Sequence, residues 1–309
     1  MKMILIICAS CAVIYGVALA IATFSNAKKT QKPFLNHLAK FTVSGHRGAS
    51  VEAPGNTMDA FRLCHEIDPG SLFECDVWES SDGVVMISHD GDLSICTNGK
   101  GNIGDFPLGE LKKLDAGYNI SFDGGAIYPF RGKGYVLATL EELLAAYPRK
   151  LLSIDIKYHA PVFAKKVVAL VQKYHAEEYV VIGSFSDSVL SMIRREYPSL
   201  CSSFGVHDVI VFMLLQKIGL ARLYAPAGDV IMVSEFSNTN YPEDSHGAHR
   251  QGFRIITERF IRDAHGMGVP VFAWTINRAD NMKRLYGWGI DGIVTDNPRL
   301  LKQTVPGNN

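Results

Sequence analysis

His46-Arg47-Gly48, Glu74-Cys75-Asp76 and Asp155-Ile156-Lys157 each lie in or at the end of a short apolar run, and together they carry an imidazole, three carboxylates and two cations. Residues i and i+2 of a strand point to one face, so Glu74 and Asp76 share a face of an otherwise apolar strand and repel each other there. Such a pair is costly unless a cation or a basic group compensates it. Hard oxygen donors with open positions suit Mg2+ or Ca2+ rather than zinc. The plainer alternatives are two solvated strand-end acids, or an acid held by Lys157. Downstream, Ser81-Asp82-Gly83 is a turn signal between two β-like runs. A hairpin centred between Ser81 and Asp82 sets position 89 opposite position 74 and brings His89 to the acidic pair. With His46 on the neighbouring strand, two imidazoles can exchange protons near neutral pH, one activating an attacking oxygen and one protonating a leaving oxygen. Arg47 can pair bidentately with phosphate oxygens, and a cation, with Asp155 completing its ligands, can share that task. This is equipment for cleaving a phosphodiester.

The elements that must position these groups are legible as alternation. Eight β-rich runs occur at Phe41–His46, Leu72–Val77, Leu151–Ile156, Val180–Phe185, Leu200–Val206, Val230–Val233, Val271–Trp274 and Gly292–Thr295. Helical stretches at Thr57–Glu66, Leu140–Ala146, Ala160–Tyr174, Asp187–Glu196, Glu258–Met267 and Ala279–Trp288 fall between them, the last two ending near Gly268 and Gly289. Apolar strands alternating with helices predict a parallel sheet covered by helices. Eight units predict an α/β fold of the (β/α)8 TIM barrel type, with an open doubly wound sheet as the alternative. In a barrel, functional side chains gather at the C-terminal strand ends, which here also deliver Ser184, Glu235, Trp274 and Asp296. The other histidines, including His246 and His249 in a polar loop, lack carboxylate pairing of this kind and are expected at surface or cap positions.

The chain has 309 residues and zero formal net charge, which argues against nucleic-acid binding. Its six cysteines show no zinc spacing and no small-disulfide scaffold. Met3 to Phe24 carries no charge and is long enough for a bilayer core of about 30 Å. Residues 1–24 are therefore expected to be a transmembrane anchor or signal anchor, in preference to a cleaved signal peptide, and 25–40 a polar linker. Lys2 precedes the run and Lys28, Lys29 and Lys32 follow it. The expected location is a membrane, through a single-pass N-terminal anchor, with a lean toward a cytoplasmic main domain. A second apolar-rich segment, 209–228, is too short to span but could lie in the interface.

The motifs GHRGASVEAPGNT, FECDVWESSDGVVMISHD, LLSIDIK, VIGSF, FAWTIN and DGIVTDNP follow one another over about residues 41–300. In this order they resemble the glycerophosphodiester phosphodiesterase family, and IDIK with the two apolar segments is similar to its membrane-bound lysophospholipase D-like branch. The resemblance implies a (β/α)8 barrel over residues 41–303 and a divalent cation, Mg2+ or Ca2+. By matched position it implies Glu74, Asp76 and Asp155 as metal ligands, Asp155 standing where many members have Glu. His46 and His89 match the general acid/base pair, Arg47 and Lys157 the phosphate-contacting positions, and Trp274 an aromatic of the substrate site. The implied activity is that of a phosphoric diester hydrolase. A glycerophosphodiester would yield glycerol 3-phosphate, and a lysophospholipid would yield lysophosphatidic acid and a free head group. The alternatives are a non-catalytic lipid-binding relative and a sphingomyelinase D-like phospholipase of the same fold. Gly55 departs from the family's Pro-Glu-Asn-Thr, which is expected to weaken support for the site without removing a ligand; Glu52, three positions earlier, is a candidate for partial substitution.

Overall fold

A computed structural model describes residues 2–24, 32–238 and 252–305. Nine strands carry the fold: β1 (Thr42–His46), β2 (Leu72–Glu79), β3 (Val85–Ile87), β4 (Leu152–Ile156), β5 (Val180–Gly183), β6 (Cys201–Ser202), β7 (Ile231–Ser234), β8 (Val271–Trp274) and β9 (Gly292–Thr295). Eight are parallel in the order β6-β5-β4-β2-β1-β9-β8-β7, and β3 hangs antiparallel on β2. A parallel bridge between Ser203 and Val230 joins the two ends of this sheet, supported by the Phe204 N–H on the Val230 carbonyl at 2.8 Å. The eight expected runs are thus the eight barrel strands.

Strand parity sorts the side chains into three zones. Phe73, Cys75 and Val77 of β2 and Leu152, Ile154 and Ile156 of β4 point outward, into a core shared with helices Met58–Ile67, Leu140–Ala146, Pro161–Lys173 and Asp187–Glu196. A second outer core lies under helices Val206–Lys217, Glu258–His265, Ala279–Gly287 and Pro298–Thr304. The inward positions begin with an apolar floor that includes Leu72, Leu151, Val181 and Val294. Phe34, from a turn of helix at Pro33–Asn36, fills that floor. Part of the expected linker is therefore a plug of the barrel; residues 25–31 lie outside the described residues. Burying a Phe of this kind stabilises the fold by about 1.5–3 kcal/mol.

The N-terminal helix runs over Lys2–Phe24, 23 residues, with side chains described at 10, 11 and 13–22. Among the described residues, no helix is long and apolar enough to cross a membrane.

Candidate active site

Above the apolar floor the inward column of β2 reads Glu74 then Asp76, beside His46 of β1 and Asp155 of β4. Pairing fixes the levels: His46 lies opposite Glu74, and Asp76 opposite Asp155. The i, i+2 reading of the acidic pair therefore holds, with the two carboxyls at successive levels of one barrel wall.

The loop after β1 is bent to serve this wall. Arg47 and Asn56 adopt left-handed backbone (φ 58° and 64°), a strain of order 1–3 kcal/mol each in non-glycine residues. The bend lets the Arg47 N–H donate to Glu74 Oε2 at 3.0 Å and the Asn56 amide donate to Asp76 Oδ2 at 3.0 Å. Gly48, at φ 86°, sits where a Cβ would come within 2.5 Å of the Ala60 backbone, so only glycine lets the loop lie against helix Met58–Ile67. Thr57 starts that helix, its hydroxyl accepting from the Ala60 N–H. Gly55 lines the site, and a Cβ there would lie 3.1 Å from the Cβ atoms of both Arg47 and Ser50. Glu52 is no substitute for the missing carboxylate, being paired with Arg299 at 2.8 Å.

Lys157 bridges the acids, 3.1 Å from Asp76 Oδ1 and 2.7 Å from Asp155 Oδ2; Arg47 Nε stands 3.4 Å from Asp76 Oδ2. Burial works against charge on Asp76, but Lys157 and then Arg47 overcome it and hold its carboxyl below the usual range. Glu74 is driven the other way, well above that range, by burial and by the neighbouring charge of Asp76. Burial likewise raises Asp155 in spite of Lys157. The donor chemistry, three inward carboxylates with Glu74 and Asp155 undercompensated, fits a hard divalent cation. Among the described residues no three metal-ligating side chains stand together as a ready-made site; the Lys157 ammonium occupies the space between two of the expected ligands.

Both histidines are held through Nδ1. His46 Nδ1 lies 2.7 Å from Asp296 Oδ1. Burial would raise Asp296, yet the bond and charge of His46, helped by Asn277 and Ser50, bring it down to about 2. An ionised Asp296 only accepts, so Nδ1 carries the proton and Nε2 is left as the basic nitrogen. His89 Nδ1 lies 3.1 Å from Asp90 Oδ2, and this bond lowers Asp90. Sequence reasoning placed Asp296 at a strand end without joining it to His46. The signal was available, because the first and last strands of a closed barrel are neighbours, as β1 and β9 are here.

His89 reaches the site by a different route from the one expected. Val77 pairs with Ile87 and Glu79 with Val85, so the hairpin is centred on Asp82 and the register is one residue off. Gly83, at φ 81°, closes a loop with an odd number of residues rather than a two-residue turn. Continued regularly, this register would set His89 opposite Cys75, on the outward face. Instead regular pairing ends with the Ser88 N–H on the Asp76 carbonyl at 2.9 Å; Ser88 Oγ donates to the Asp90 carbonyl and Trp78 Nε1 to the His89 carbonyl at 3.0 Å. His89 then lines a cavity of about 230 Å3 together with Arg47, Ser50, Asn56, Asp90 and Asp296. Apolar side chains also line it: Ile95, Ala116, Ile120, Phe122 and Leu137.

The remaining expected residues divide. Trp274 closes β8 at the mouth, edge-to-face with Phe185 at 6.4 Å, and Lys157 Nζ lies 5.5 Å from the same Phe185 ring; Trp274 is not part of the cavity wall. Glu235 is structural, clamped by Arg284 at 2.6 Å and Arg254 at 3.2 Å. His265 pairs with Asp291 and His37 stacks on Tyr179. His246 and His249 lie outside the described residues. A larger, open cleft of about 700 Å3 lies between Trp78, Asp82, Asp105, Tyr158 and Lys166 and contains neither site histidine.

The sequence pattern of the Glycerophosphoryl diester phosphodiesterase family matches residues 46–300. A glycerophosphodiester phosphodiesterase of Caldanaerobacter subterraneus is 30% identical over 267 residues, covering 85% of this chain and 96% of that one. The human lysophospholipase D GDPD1 is 25% identical over 289 residues, covering 91% and 89%. The crystal structure of a glycerophosphodiester phosphodiesterase from Agrobacterium tumefaciens shares the fold, with a TM-score of 0.62 at 23% identity over 84% of this chain and 98% of that one.

Proposed function

Because the chain belongs to the glycerophosphoryl diester phosphodiesterase family and is a phosphoric diester hydrolase, we propose that the barrel mouth hydrolyses glycerophosphodiesters or lysophospholipids with the help of a divalent cation. The observation that carries this reading is the pair of imidazoles, each held at Nδ1 by a carboxylate; His89 and Asp296, the carboxylate that holds His46, line a cavity together with Arg47. Proton transfer then falls to Nε2: one histidine takes the proton of the attacking hydroxyl or water, and the other returns one to the leaving oxygen. Arg47 and Lys157 neutralise the phosphate oxygens. Glu74, Asp76 and Asp155 are the residues that would hold Mg2+ or Ca2+, which would supply charge stabilisation at the phosphoryl group. The apolar wall formed by Ile95, Ile120 and Phe122 supports a substrate with one greasy end. Lysophospholipid cleavage would release a head group and lysophosphatidic acid, and glycerophosphodiester cleavage would release glycerol 3-phosphate. The uncharged sequence run from Met3 to Phe24 supports a membrane anchor as part of this proposal, with the barrel on the cytoplasmic side, where Lys28, Lys29 and Lys32 follow it.

The test is choline release from lysophosphatidylcholine and from glycerophosphocholine, each with Mg2+, with Ca2+ and with chelator. Metal-dependent release is expected. No release from either substrate under any condition refutes the reading for choline esters, and release only from glycerophosphocholine refutes its lysolipid arm.

A further inference from the structure

Helix Val206–Lys217 buries two polar side chains beside Phe212 and turns a row of apolar ones outward. Its buried side chains are Asp208, Phe212 and Gln216, one turn apart on a single face. Asp208 accepts from Arg194 at 2.9 Å, from the Tyr224 hydroxyl at 2.6 Å and from the Gly205 N–H at 3.1 Å. Arg259 also donates to the main-chain carbonyl of Gln216 at 3.0 Å. With polar groups facing in, apolar ones face out: Val206 (43%), Ile210 (47%), Leu214 (55%) and, just past the helix, Ile218 (50%) are exposed. Their four-residue spacing makes one continuous row. A helix covering a barrel in water shows the opposite arrangement, apolar side in and polar side out.

The row runs into the N-terminal helix. The Tyr15 hydroxyl donates to the Ile218 carbonyl at 2.6 Å, and Leu19 packs over Gly219. The same helix leaves Val13, Ile14, Val17 and Ile21 exposed. Lys217 ends helix Val206–Lys217, and Arg222 follows in the next turn. We propose that the outer face of helix Val206–Lys217 lies in the headgroup–acyl boundary of a phospholipid bilayer, as a second membrane contact beside the N-terminal helix. The proposal rests on the membrane-anchored reading above. Lipid is the occupant because the row is continuous with an apolar helix and ends at cations suited to phosphate headgroups. The helix itself does not span, since its 12 residues fall short of the roughly 20 a bilayer requires and its inner face is committed to Asp208 and its partners. Val206 follows β6 directly at the C-terminal, mouth end of the barrel, so this contact would hold the mouth beside the membrane surface.

The test uses the full chain with Leu214→Trp or Ile210→Trp, mixed with phosphatidylcholine vesicles whose acyl chains are plain or brominated. Circular dichroism first establishes that each variant keeps the wild-type fold, and vesicle flotation establishes binding. Bromine is expected to remove most of the emission added by either substitution, over and above any loss from the native tryptophans. Flotation with no extra quenching in either variant overturns the proposal while leaving the anchor intact. Failure of the wild-type chain to float removes the anchored reading and the proposal together. A blue-shifted added emission in the absence of vesicles, with no bromine effect, overturns it in favour of a second copy of the chain on this face.

Discussion

Asp296→Asn should separate positioning of His46 from mere packing. Asp296 accepts from His46 Nδ1 at 2.7 Å, Ser50 Oγ at 2.8 Å and Asn277 Nδ2 at 2.6 Å. An amide of the same shape offers one acceptor oxygen and turns an NH2 toward donors that need an acceptor. The gap between an ordinary Asp at 3.8 and about 2 in the fold corresponds to about 2 kcal/mol of stability. Because the folded value is the lower one, that stability is fully present above the ordinary value and is lost as pH falls through the folded one. Urea unfolding of the full chain should therefore show the variant weaker by about 2 kcal/mol at pH 7. The difference should shrink as pH drops below 3.8 toward about 2. The catalytic effect is separate: with the Nδ1 proton no longer fixed, kcat should fall on the order of a hundred- to ten-thousand-fold, with KM little changed because Asp296 is not among the proposed phosphate-binding groups. An unchanged kcat, or a stability difference that ignores pH, would refute the reasoning.

Removal of either imidazole, His46→Ala or His89→Ala, should reduce turnover by a similar hundred- to ten-thousand-fold, as an order of magnitude, while the circular dichroism spectrum stays that of wild type; a rate within a few-fold of wild type would exclude that histidine from proton transfer. Lys157→Met leaves Asp76, which is 1% exposed, with only Arg47 and Asn56, so unfolding should cost about 3 kcal/mol less, the lower end of the range for a broken buried pair; equal stability would show that Lys157 is dispensable to the acid cluster. Gly55→Glu should lower stability by about 1–3 kcal/mol through crowding, since its Cβ meets Arg47 and Ser50 at 3.1 Å, and should raise KM by displacing Arg47. A variant as stable as wild type and more active would show that the loop had merely lost a carboxylate.

What the sequence revealed, and what it hid, follows from the range of the forces involved. The acidic pair was legible because strand parity is local: once Phe73 and Cys75 face the outer core, Glu74 and Asp76 must face in. The hairpin register was not, because a single left-handed residue, Gly83, adds one position to the loop, and Asp82 is turned toward the Leu108 N–H at 3.1 Å, a partner 26 residues away. The error would have turned His89 out of the site had the ladder continued; it does not, because pairing ends at Ser88 and Trp78 and Ser88 then bond the carbonyls of His89 and Asp90. His89 therefore sits just past the end of the pairing, in a turn held by two hydrogen bonds, and the sequence signalled the right residue for the wrong geometric reason. Asp296 shows the converse case. Its contact with His46 spans 250 residues, yet it needs no long-range information beyond closure of the ring, which sets β9 beside β1. A closed barrel turns its two chain ends into neighbours, so a strand-end carboxylate near the C-terminus is the first partner to consider for a strand-end histidine near the N-terminus.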